Sequence, residues 1–260
     1  MPPLSTPLPP PLPQATQASQ ACAAAQASQP WAPPQPTAAA TASTTDATAA
    51  AAAGAPLHPE DPNPQDYRHQ LRPTPAGWPI RPLWCVWIEP VQTSGPQVVW
   101  DERWWRAVSA ALRTWQQDLT IVQVADPARA QVLVLRRRPP IQNNRASNGR
   151  ALLQLLAVQR QSAWQLEPRV EVLISPGQAE AAIQATTLHE LGHAFGLWAH
   201  SDQAGDVMAV HAGARPVLQL SRRDRATLQW LQRQPGLNQQ LLSIPPAPVA
   251  PGPEPTPAPR

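Results

Sequence analysis

Between about Trp84 and Gln232 the chain shows two hydrophobic periods, and these predict its elements. Trp84-Cys85-Val86-Trp87-Ile88 is a β-rich run and reads as a first strand. Asp101 is placed to cap a helix running to about Gln117, with Trp104, Val108, Leu112 and Trp115 as its buried stripe. Tryptophans at helical spacing point to core packing rather than to a ligand surface. Leu119–Val124 and Gln131–Leu135 read as two further strands, and Asn143, Asn144, Asn148 and Gly149 mark a loop. The apolar run Arg150–Val158 suits helix or strand. Val170–Ile174 alternates and is bounded by Pro176-Gly177, so it reads as a strand. A helix is predicted from about Gln178 to Phe195, and Ser221 caps a last one to about Gln232. The order β-α-β-β-β-β-α-α predicts an α+β domain.

The flanks lack such patterning. Residues 1–77 are rich in Pro, Ala, Gln and Thr, and residues 236–260 form a second Pro-rich tail. Such segments bury too little apolar surface to offset chain entropy, so both are expected to be disordered around a domain at 78–235. Two cysteines, one in the arm (Cys22) and one in the first strand (Cys85), do not suggest a structural disulfide. The basic residues are all arginine, and formal net charge is only +3. The run Arg136-Arg137-Arg138 follows an apolar strand and reads as a solvated strand end, so no nucleic-acid partner is expected. No stretch approaches the ~20 apolar residues of a membrane span. Leu4 to Leu12 is broken by proline and is not the basic-then-apolar pattern of a secretory signal.

Candidate chemistry is concentrated in one window. Of six histidines, four (His189, His193, His200 and His211) lie close together. His189 and His193 are four apart, which on a helix stacks both imidazoles on one face, one turn apart, where they can share an ion. Glu190 follows the first of them, so its carboxylate can address a water without acting as a ligand. Gly196 can take positive φ, end the helix and turn the chain back. His200 is then the natural third ligand. Three protein ligands leave a fourth position for water, the mark of a catalytic rather than a structural zinc site. Two surface histidines on an amphipathic helix would explain His189 and His193 alone. They would not explain Gly196, His200 and Met208 together.

With those residues in place, the stretch His189-Glu190-Leu191-Gly192-His193-Ala194-Phe195-Gly196-Leu197-Trp198-Ala199-His200, followed by Asp206-Val207-Met208, resembles the metzincin metallopeptidases of the matrixin-like branch. The family pattern has two residues between the glycine and the third histidine; here there are three, Leu197, Trp198 and Ala199. Asp202 is the fallback third ligand, since some metzincins use Asp there. More loosely, Asp126 to Val134 and Leu220 to Leu228 resemble family elements, so that the likeness covers about 78–235.

The resemblance implies a twisted, mostly parallel sheet with one antiparallel edge strand, an active-site helix and a C-terminal helix. Arg150–Val158 would be that edge strand, pairing with a protein or peptide substrate held in extended form across the zinc. The implied activity is hydrolysis of internal peptide bonds by a zinc-activated water, with Glu190 as general base and one catalytic zinc on His189, His193 and His200. Met208 would be the Met-turn residue, an apolar floor and not a ligand. Ala209, Val210 and His211 would line a substrate pocket. No histidine occurs in residues 118–188, so a structural zinc is not expected, and scattered carboxylates give calcium no support. Tyr67, the only tyrosine, is placed outside the domain, so no tyrosine would assist the oxyanion. Cys22 lacks the charged flanks of a latency cysteine. A monomer at the cell envelope or outside the cell would fit the family. A glutamate as third ligand is disfavoured because the only later one is Glu254, in the tail. The competing reading is a non-catalytic zinc-binding adaptor whose Pro-rich arms bind partners.

Overall fold

Val86, Val132, Val134, Val170, Val172 and Ile174 alternate with outward-facing neighbours along their strands, and together they form the buried face of one sheet. The computed structural model describes residues 22–33, 65–92, 94–141, 146–160, 163–210 and 215–242. Its strands are β1 (Ala27–Pro30), β2 (Trp84–Ile88), β3 (Ile121–Gln123), β4 (Val132–Leu135), β5 (Gly149–Arg160) and β6 (Ala163–Ile174). Its α-helices are α1 (Val98–Trp115), α2 (Glu180–Ala194) and α3 (Arg222–Gln232). The fold is α+β. The sheet order is β1-β5-β6-β4-β2-β3; β2, β3, β4 and β6 pair in parallel, and β5 runs antiparallel to both β6 and β1.

Helices α1 and α2 pack on the valine-lined face. The tryptophan stripe of α1 is buried, as its spacing predicts. Trp104 and Trp115 donate their indole N–H to the Ile174 and Leu188 carbonyls (3.3 and 3.0 Å), so neither buried ring leaves a polar atom unpaired. Trp115 also meets Phe195 edge-on at 5.6 Å. This packing fixes α2 against α1 and the sheet. Helix α3 is held by a capping box, Ser221 and Asp224 each bonding the other's backbone N–H.

Several expectations are corrected. Asp101 does not cap α1, which begins three residues earlier behind Gln97; the carboxylate is buried and pairs with Arg136 at 2.5 Å, so that arginine is not a solvated strand end. The arm is not unstructured over 22–33 and 65–77. Cys22 bonds Cys85 in a disulfide, with Cα atoms 5.8 Å apart, and the pair sits in an apolar cluster with Val124, Ala130 and Leu133 on the sheet face opposite the helices. Past it, β1 adds to β5, so β5 is not an edge strand along its whole length. Composition could not reveal this, because an unpaired strand edge recruits backbone groups and asks little of side chains. Arg160 reinforces the join by donating to the Ala23 carbonyl and to Glu167. Burial pushes the Glu167 carboxyl up, but Arg160 and Arg81 outweigh it and hold it below the usual range. Tyr67 lies inside the domain, fully buried. Residues 236–242 are anchored at two points: Leu237 joins Ala76 and Leu166 in a small apolar cluster, and the Gln239 amide bonds both backbone groups of Leu166. Residues 1–21, 34–64 and 243–260 lie outside the described residues. No helix among the described residues is long and apolar enough to cross a membrane.

Candidate metal centre

Helix α2 carries His189 and His193 one turn apart, and its end is set by Gly196. There φ is +109°, a conformation that favours glycine. The Gly196 N–H bonds the His193 carbonyl and the Leu197 N–H bonds the Gly192 carbonyl, both at 3.0 Å, which is the pair of bonds of a Schellman cap. A side chain at 196 would also press on Ile80 and Leu231. The cap reverses the chain and returns His200 to the face occupied by the other two imidazoles. One ligating nitrogen from each of His189, His193 and His200 lies within 4.8 Å of the others. The His189 and His200 rings stack, and His193 stands edge-on to both.

Two of the rings are held in orientation. His189 donates from Nδ1 to the Val207 carbonyl (2.8 Å), and His193 donates from Nδ1 to the Leu197 carbonyl (2.7 Å). Each bond fixes the tautomer that leaves Nε2 bare and facing inward. Trp198 lies flat against His193, with ring centroids 5.5 Å apart, so the residues beyond Gly196 include a wall for the second histidine. Burial lowers the pKa of all three imidazoles, that of His193 to about 3. The metal-free rings are therefore neutral near pH 7, the state a metal requires. A cluster of three neutral imidazoles fits a bound divalent ion well. Asp202 is not part of it: its side chain is 64% exposed and pairs with Arg223.

Glu190 lies under the start of β5. Burial pushes its carboxyl up to about 7, against the opposing pull of the Ala151 backbone N–H and of Arg150. Room for it comes from Gly149, where a Cβ would sit 2.7 Å from Glu190 Cγ and 2.4 Å from Thr186 Cγ2. Met208 is fully buried beneath α2. Its sulfur occupies the space of a missing side chain at Gly192, where a Cβ would lie 2.2 Å away. His211 lies outside the described residues.

Sequence reasoning missed Gly149, Gly192 and Asp224. Asp224 is fully buried and accepts from the Tyr67 hydroxyl (2.8 Å), the Val207 N–H (2.9 Å) and the Ser221 N–H (2.9 Å). It thus ties the arm, the methionine turn and α3 into one knot behind His189. No local pattern marks such a residue; its capping position was the only visible signal. No protein-family model matches the chain, and no curated protein matches it.

Proposed function

We propose that this chain is a zinc-dependent metalloendopeptidase with a metzincin-like, matrixin-type catalytic domain. The observation that carries the reading is the convergence of three neutral imidazoles, two of them on the helix that also carries the buried carboxyl of Glu190 under the start of β5. Zinc on His189, His193 and His200 would supply Lewis-acid polarisation and bring the pKa of a water toward about 7. Glu190 takes the proton of the attacking water and gives it to the leaving amine. In the metal-free protein burial already raises this carboxyl, so it is not a fully solvated surface acid. The Ala151 N–H and the cavity left by Gly149 hold that carboxyl in place. The start of β5 offers backbone groups to an extended peptide, which orients a scissile bond over Glu190.

Digestion of casein, with and without a chelator, tests the reading. Activity should vanish with chelator and return with zinc. Glu190→Ala should keep zinc and fold while losing about 10²–10⁴-fold in rate, the usual weight of general-base catalysis. Absence of any chelator-sensitive cleavage would leave the adaptor reading in possession.

A further inference from the structure

The peptidase reading leaves open how much of a peptide chain can lie along β5, and strand β1 bears on that. Trp31 donates to the Leu155 carbonyl at 2.8 Å and Gln26 to the Gln159 carbonyl at 3.0 Å. The odd-numbered residues of β5 therefore turn their backbone groups toward β1, and by the two-residue period Leu153 and Ala151 turn theirs to the same side. Beyond Trp31 the described residues of the arm, Ala32 and Pro33, make no further pairing with β5, and Pro33 has no N–H to donate. The β5 edge is thus divided. Ala157 and Val158 are covered, at 2% and 3% exposure, whereas Leu152 on the same strand is 41% exposed, and among the described residues no strand pairs with Gly149–Gln154 on the edge away from β6.

The open part is short and closed at one end. Ala151 marks the level of Glu190, and Trp31 takes the place opposite Leu155. Only the positions opposite Leu152, Leu153 and Gln154 remain between them. The disulfide and the Arg160 bond to Ala23 fix β1 in place, so it acts as a stop and not as a loose end.

We propose that β1, ending at Trp31, is a specificity device that restricts this site to bonds near the N-terminus of an unfolded protein or peptide. The inference rests on the peptidase reading. A peptide pairing antiparallel to β5, as β1 itself does, points its N-terminal end at Trp31. It has space for about three residues before the scissile bond, and a longer N-terminal extension must leave the strand or displace β1.

A ladder of alanine-based fluorogenic peptides tests this, with one to eight residues before the scissile bond and a constant C-terminal side. Turnover by the full-length protein should peak at about three residues and fall about tenfold or more beyond five, the weight of one lost set of edge hydrogen bonds. Gln29→Pro, which removes one donor of β1 and leaves the disulfide, should abolish the fall without changing turnover of the three-residue peptide; a thermal melt checks its fold. A flat ladder, or a limit that follows the C-terminal length, overturns the inference while leaving the peptidase intact. Amide exchange gives a readout that needs no catalysis. In zinc-loaded Glu190→Gln, the short peptide should slow exchange of the Leu153 amide and the eight-residue form should not. Protection of Leu153 by both forms also overturns the stop. If the wild-type protein cuts no peptide while the short form alone protects Leu153, hydrolysis is the wrong reaction and the divided edge stands.

Discussion

Asp224 holds Val207 by its backbone N–H at 2.9 Å, and the carbonyl of the same Val207 takes the Nδ1 proton of His189 at 2.8 Å. A carboxylate on the last helix thereby sets the direction of the first imidazole, through a single residue of the methionine turn. Asp224→Ala removes the acceptor of three donors, two of them buried. It should destabilise the domain by about 3 kcal/mol or more and weaken zinc by roughly 10–100-fold. Tyr67→Phe, which loses one hydroxyl from the same knot, should cost only about 1 kcal/mol and leave zinc affinity unchanged. Denaturant melts and competition with a chromogenic chelator separate the two. Equal zinc loss in both variants would contradict the orienting role of Val207.

The proposed third zinc ligand is testable by metal content. His200→Ala should weaken zinc by more than the 10–100-fold typical of losing an outer hydrogen-bond partner, since a ligand itself is gone. Asp202→Ala should retain one zinc per chain, because that carboxylate is exposed and engaged with Arg223. The opposite pattern would move the third ligand to Asp202.

The pH response of the metal-free protein follows from shifts in two opposed directions. The Glu190 carboxyl is raised from 4.5 to about 7, so the folded state binds the extra proton between these values, and stability falls as pH rises through that window. On the other side, burial lowers His193 from 6.5 to about 3 and lowers His189 and His200 as well, so the unfolded state binds the extra protons below 6.5, and stability falls as pH drops through that range. Each group contributes at most about 1.4 kcal/mol per pH unit, and between 4.5 and 6.5 the two directions oppose each other. Urea melts of chelated wild type should therefore be flatter in that range than those of Glu190→Gln, which keeps only the histidine slope. Identical profiles would show that Glu190 titrates normally.

Most of the elements could be read from the sequence because their cause is local. The stripe of α1, the alternation of Val170–Ile174 at the end of β6 and the Ser221 cap each announce themselves within a few residues, whereas the first half of β6, from Ala163, carries no such signal. The imidazole cluster was legible for the same reason: a helical pair, a turn glycine and a third histidine are contiguous. What escaped notice is assembled from afar. Ala27-Ser28-Gln29-Pro30 has no apolar alternation and becomes a strand only because β5 offers it an edge and Cys85 a bond. Asp101 resembled a cap, but Arg136 claims it from just past the end of β4. Gly149 and Gly192 matter through the atoms that fill their empty space, Glu190 and Met208, and a glycine in a sequence does not say what will approach it.

Gly192 gives a direct test of that space. Gly192→Ala places a methyl 2.2 Å from the Met208 sulfur, so methionine or helix must shift, at a cost of about 1–3 kcal/mol. Met208→Ala in the same chain should recover part of that loss, giving a coupling of about 0.5–3 kcal/mol in a double-mutant cycle. Additive effects would mean that Met208 does not occupy the place of the missing side chain.

Reducing the disulfide should destabilise the domain. Cys22 and Cys85 are 63 residues apart, and opening a loop of that size costs about 4 kcal/mol in the chain-entropy view. Melting with and without reductant, on wild type and on Cys22→Ala, measures it; the variant should match the reduced protein and ignore the reductant.

Between those two sulfurs the polypeptide forms a closed covalent ring, with β1 and the segment around Tyr67 as parts of its circumference. One break in its 34–64 stretch opens the circle without freeing either piece. A nicked molecule would be two chains held by a single sulfur bridge, one band on a gel until thiol is added and two afterwards. The strand that narrows the β5 edge would stay seated after the backbone behind it had been severed.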